Sequence, residues 1–136
     1  MTTGPNGVIA AALYTKLNVS GVTSLATGGV WLLIAKQGAV LPYVVFQWQG
    51  GGDENDHPDR SRNTVWTVQA LAATAAAADA IDAACDALLH NGSLSVSGYN
   101  TFWLRREGDV AYQEVDPTGR PIYHVGGMYR VRTEKS

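Results

Sequence analysis

The chain has 136 residues, of which 46% are hydrophobic, enough to build one core but not two. Its formal net charge of −2 and pI of about 5.8 exclude a general electrostatic grip on nucleic acid or an anionic membrane. Cys85 is the single cysteine, which rules out an internal disulfide and any multi-cysteine metal site.

The N-terminal stretch MTTGPNGVIAAALYTKL lacks a basic leader and a long apolar run, so no signal peptide is expected and the protein is expected to be soluble. Pro5 followed by GVIAAALYTKL predicts a first helix, with Ile9, Leu13 and Leu17 on one face and with Asn18 and Gly21 as stop signals. The following region, to Pro42, is ambiguous: Val30 to Ile34 can form a strand, but glycines and Pro42 fragment it.

PYVVFQWQ predicts a strand in which Val44, Phe46 and Trp48 alternate against Tyr43, Val45 and Gln47. NTVWTVQALAA predicts a second, antiparallel to it, with Trp66, Val68 and Ala70 on one side. Between them WQGGGDENDHPDRSRNTVW reads as a long charged loop over residues 49–63, far more than a tight hairpin needs. Its three glycines read as a hinge, since no GK[ST] follows them to make a phosphate cradle.

Thr74 is the expected N-cap of a helix in AAAADAIDAACDALLH, which stops at Asn91-Gly92. Ala77, Ile81, Ala84, Cys85 and Leu88 form its expected buried stripe, which makes Cys85 a small core residue; Asp79, Asp82 and Asp86 form an expected acidic outer stripe. YNTFWLRREGD then reads as a strand, DPTGR as a turn after YQEV, and PIYHVGGMYRVRT as a last strand bent or bulged at Gly126-Gly127. The fold class implied is α+β: a mainly antiparallel sheet of about four strands with two helices packed on one face, in one domain over residues 1–136.

A search for chemistry finds no convergent site. His57, His90 and His124 fall on a loop, a helix end and a strand, with no metal-ligand spacing, and His124 reads as a half-buried structural or interface residue. The loop segment DENDHPDR fails the calcium-loop pattern, because Pro58 stands where the sharp-turn glycine belongs and Thr64 where the closing glutamate belongs. No GxGxxG and no nucleophile elbow occur, so no enzymatic activity, cofactor or metal is expected. Arg105, Arg106, Arg130 and Arg132 form a modest basic set, with Arg130 and Arg132 on one strand face.

Taken together, LYTKL, LPYVVF, the charged loop, TVWTVQALAAT, AADAIDAACDALL and IYHVGGMYRVRT resemble the tail-completion proteins of long-tailed bacteriophages, the tail terminators or tail-to-head joining proteins. The resemblance implies a structural virion protein that forms a ring, expected to be hexameric, on the head-proximal end of the tail. It stops tube polymerisation and offers a joint to the head. Implied partners are further copies of itself, the major tail tube protein and the head-tail connector proteins, with assembly in the host cytoplasm, no membrane, and DNA passing through the lumen without specific binding. Alternatives are another neck, head-closure or minor tail ring protein, or a small ligand-binding or enzymatic α+β domain.

On this reading the candidate assembly residues fall into three sets. The loop supplies Asp53, Glu54, Asp56, His57, Asp59, Arg60 and Arg62, as an arm expected to be mobile in the free subunit and ordered in the particle. The helix supplies Asp79, Asp82 and Asp86, and the last strand Arg130 and Arg132, as complementary acidic and basic surfaces of a ring contact.

Overall fold

The computed structural model describes residues 5–54 and 61–135. In chain order they form α1 (Pro5–Leu17), α2 (Ser20–Thr23), β1 (Val30–Leu32), β2 (Tyr43–Glu54), β3 (Ser61–Ala72), α3 (Ala75–Leu89), β4 (Tyr99–Val115) and β5 (Pro121–Lys135). The strands make one five-stranded sheet in the order β1-β2-β3-β5-β4. The sheet is mixed rather than wholly antiparallel, because β1 pairs with β2 in parallel through Val30, Trp31 and Leu32. The expected four strands and two helices thus become five and three, the additions being the short β1 and the four-residue α2.

Alternation along β2, β3 and β5 places Val44, Phe46, Trp66, Val68, Tyr129 and Val131 on one face, where they are buried with Ile9, Leu13 and Leu17 of α1 and Ala78, Ile81, Cys85 and Leu89 of α3. Both long helices therefore cover the same face of the sheet, as expected. Trp66 buries its indole with its polar handle satisfied: Nε1 donates to Thr64 Oγ1 at 3.1 Å, and that hydroxyl donates to the Val131 carbonyl. The helix signals hold, since Thr74 Oγ1 accepts from the Ala77 N–H at 3.2 Å and Asn91 takes the left-handed conformation (φ 58°) just past the α3 C-cap.

Two expectations change. The 49–63 loop is mostly strand, because β2 and β3 stay paired from Tyr43↔Leu71 to Glu54↔Ser61, with one bulge between Trp48 and Gly50. The three glycines lie in the paired ladder and not in a hinge, and Gly51, just past the bulge, is required there: it sits at φ +90°, and a Cβ would collide with the Asn63 carbonyl. Only residues 55–60 separate the strands, so Asp56, His57, Asp59 and Arg60 lie outside the described residues. The second change concerns Gly126-Gly127, across which β5 pairs with β3 without a register shift. The irregularity falls on the opposite strand, between Arg106 and Gly108 of β4.

Candidate assembly surfaces

The acidic stripe of α3 does not face outward as a unit. Asp82 is only 9% exposed, and Arg106 of β4 grips both its carboxylate oxygens, Nη1 to Oδ1 at 2.9 Å and Nη2 to Oδ2 at 3.0 Å. The same guanidinium donates to the Gly126 carbonyl at 2.9 Å, to Asp109 at 2.8 Å and to the Tyr129 hydroxyl at 3.2 Å, and lies 3.6 Å from Asp86. Tyr129 in turn donates to Asp86 at 2.9 Å. Gly127 makes room for this arrangement, since a Cβ there would come 2.6 Å from Arg106 Nε. Burial alone would weaken the Arg106 charge, but hydrogen bonds to Asp82, Tyr129 and Asp109 outweigh it and hold its pKa above the ordinary value. Burial first, then Asp86, pushes the Tyr129 hydroxyl up as well, against the lowering pull of Arg106. Asp82 and Asp86 are thus internal fasteners of helix to sheet, and Asp79 alone of the stripe is exposed.

Arg62 is likewise 7% exposed, with its guanidinium between Asp53 (2.7 Å) and Asn6 (2.7 Å), tying the loop end of the β2–β3 hairpin to the start of α1. Glu54 closes β2. Arg130 and Arg132 sit on the face of the sheet away from the helices: Arg130 meets Glu107 at 2.6 Å and Asn63, and Arg132 lies 5.3 Å over the Phe102 ring. Arg105, opposite Arg130 in register, lies 4.1 Å over Trp103, so this end of the open face is basic and aromatic.

The other end of that open face carries His124, read from the sequence as a half-buried structural or interface residue, among partners that the sequence did not indicate. His124, buried, stacks on Tyr112 with ring centroids 4.2 Å apart, while its Nε2 meets Glu114 at 2.7 Å and its Nδ1 meets Gln69 at 3.2 Å. The signal was available: DPTGR closes a tight hairpin, with Asp116 accepting from Thr118 and Arg120, and that turn sets Tyr112 opposite His124. His124, Tyr112 and Gln69 border a concavity of about 220 Å³ with Tyr43, Val45, Thr67, Leu71, Leu33 and Ile34. His90, by contrast, ties the end of α3 to β4: its Nδ1 accepts from the Arg106 backbone N–H at 3.2 Å. Cys85 is buried, and burial first, with Asp82 and Asp86 adding, pushes its thiol up to about 12, the condition of an inert core thiol.

Two further surfaces also went unread. After β1 the chain exposes Leu33 (62%), Ile34 (78%) and Val40 (72%), in a segment whose single charge is Lys36. On the helical side a groove of about 860 Å³ is lined in part by Val8, Ala12 and Leu94 and in part by the polar Thr15, Lys16 and Ser95. Among the described residues no group of three or more His, Cys, Asp or Glu is placed to hold a metal ion, and no helix is long and apolar enough to cross a membrane.

Comparison with known proteins agrees with this architecture. The family described as tail completion protein gp17 matches residues 11–134. A chain in the solved virion of a native gene transfer agent particle superposes with a TM-score of 0.81 at 19% identity, covering 98% of this chain and 99% of that one. A second solved chain superposes with a TM-score of 0.60 at 16% identity, covering 95% and 96%. No curated protein matches the chain.

Proposed function

Since the chain belongs to the gp17 family of tail completion proteins, we propose that it acts as a tail terminator: a subunit that assembles into a ring, of six copies on the expectation above, on the head-proximal end of a phage-type tail. The ring ends growth of the tail tube and presents the joint to the head connector. The observation that carries this reading is the family match over nearly the whole chain, supported by the near-complete superposition on a subunit of a gene transfer agent virion. The role is structural and uses no catalytic group.

The surfaces suit assembly. A ring of identical subunits needs one surface that fits a different surface of the next copy. The uncovered sheet face, basic at the Arg105, Arg130 and Arg132 end, is one such surface. With Asp82 and Asp86 engaged internally, Asp79 is the member of the acidic stripe left for the counterpart surface. The connection at 55–60, with Asp56, His57, Asp59 and Arg60 between the ends of β2 and β3, serves as the arm toward the tail tube or the neighbouring subunit. A mildly acidic subunit also suits a lumen through which DNA must slide, because strong phosphate contacts would retard it.

The test is a binding comparison with isolated tail tubes and with tailless heads. A terminator associates with tubes in the absence of heads. Association with heads alone would instead assign the chain to the head-closure side of the neck.

A further inference from the structure

Most charged side chains of the subunit find their counterparts within it. Arg62 meets Asp53, Arg106 holds Asp82 and Asp109, and Arg130 meets Glu107. Arg105 differs: it is exposed, and among the described residues no carboxylate pairs with it. Its guanidinium lies 4.1 Å over the Trp103 ring, a contact that orders the side chain without engaging its N–H donors. Arg130 is its partner in register, and Arg132 lies over the half-exposed Phe102 ring, so the arginines at this end outnumber its acids, Glu107 and Glu134. Beside Arg105 is a concavity of about 300 Å³, bounded by Trp103 and Phe102 of β4 and by Asn91 and Gly92 past the end of α3.

The acids divide in the same way. Asp82, Asp86 and Asp109 surround Arg106, Glu114 meets His124, and Asp116 closes its own turn. Of the acids whose side chains are described, Asp79 and Glu134 are exposed and pair with no cation. Glu134 alternates with Arg132 along β5 and so lies on the same face as Arg105. Asp79 belongs to the other layer, on the outer side of α3, where the exposed Ala75, Ala76, Ala80 and Ala83 set no long side chain beside it. The sheet of another copy can therefore come close to its carboxylate. A contact from Asp79 to Arg105 joins the helical layer of one copy to the open sheet face of another, and the use of two different surfaces is what a head-to-tail arrangement requires.

We propose that Asp79 of one copy seats its carboxylate on Arg105 of the next, in the concavity beside Trp103. The proposal rests on the ring reading above and names the charged contact that sets the order of its subunits. Carboxylate and guanidinium match as a two-pronged hydrogen-bonded pair, and Trp103 and Phe102 shield it from water once the two copies meet. In the separate subunit both groups are solvated and contribute little to stability. Across the interface the pair is less screened, and its loss is felt in association.

Arg105→Glu, Asp79→Arg and the two combined test the pair, with Arg105→Gln and Asp79→Asn as milder versions. Both positions are exposed, so urea unfolding of every variant should match the wild type. Sedimentation of the full chain, alone and with tail tubes, should show association weakened by about tenfold or more in each single reversal, and recovery to near the wild-type level when both are reversed. Should a reversal fail to fold, the corresponding neutral variant is read by the same criterion. Wild-type association in both single reversals, or a double variant no better than either single one, would overturn the Asp79–Arg105 contact while leaving the ring intact. A wild-type chain that stays monomeric even on tubes would overturn the ring and this contact together.

Discussion

Arg106 holds Asp82 through two parallel hydrogen bonds, 2.9 and 3.0 Å, across the gap between β4 and α3. The pair is nearly dry, with 16% and 11% of the two side chains exposed. It follows that Arg106→Ala should destabilise the fold by about 3 kcal/mol, because it strands a buried carboxylate. Replacing both residues with apolar ones of similar size should recover most of that loss. Urea unfolding of the single and double variants measures both.

Gly127 is coupled to the same clamp. Gly127→Ala puts a methyl within 2.6 Å of Arg106 Nε and 2.7 Å of Cζ, so the guanidinium must leave its partners. The substitution should cost about 1–3 kcal/mol in the native background and much less in Arg106→Ala, a non-additivity of the kind expected for groups in contact. Gly126→Ala should cost at least as much in either background, because its Cβ would meet the Val68 carbonyl, which is backbone and cannot move aside.

Alkaline pH should weaken the subunit. The Cys85 thiol, ordinarily near 9.0, is pushed up to about 12 by burial, so from pH 9 upward the unfolded chain loses a proton that the folded chain keeps. Stability present below pH 9 is therefore lost as pH rises toward 12. Tyr129, raised from 10.0 by burial and by Asp86, acts in the same direction from pH 10. Cys85→Ala should flatten the lower part of this decline in a pH series of thermal unfolding. In the wild type, a thiol reagent should react only as fast as the protein opens.

The β2–β3 hairpin should tolerate loss of its tip. Because pairing continues to Glu54↔Ser61, residues 55–60 can be replaced by a two-residue Asn-Gly turn without breaking the ladder. The variant should unfold at a temperature close to that of the wild type and should fail to join tails in a reconstitution assay. Unimpaired joining would remove the arm from the account.

Much of this frame was legible in the residues. Ile9, Leu13 and Leu17, the Thr74 cap, and the alternation of Val44 and Phe46 against Trp66 and Val68 each read correctly, because local periodicity and capping determine them. The inward turn of Asp82 was not legible. In an alanine-rich helix several faces look equally buriable, and the partner that selects one, Arg106, lies 24 residues away. The strands hidden in the 49–63 segment were missed because glycine and charge ordinarily signal loop, whereas here Gly51 takes a positive φ inside the ladder, against a neighbouring backbone that only pairing with Asn63 and Thr64 reveals. The Leu33 turn depends on a hydrogen bond to Phe46 in the adjacent strand, and no short-range pattern encodes it.

The most direct test of the terminator reading is tube growth itself. Tail tube protein polymerised with and without the purified chain should differ in one respect visible by electron microscopy: with the chain present, each tube carries a cap at one end and stops lengthening. Tubes that grow unchanged and uncapped in its presence would contradict the account.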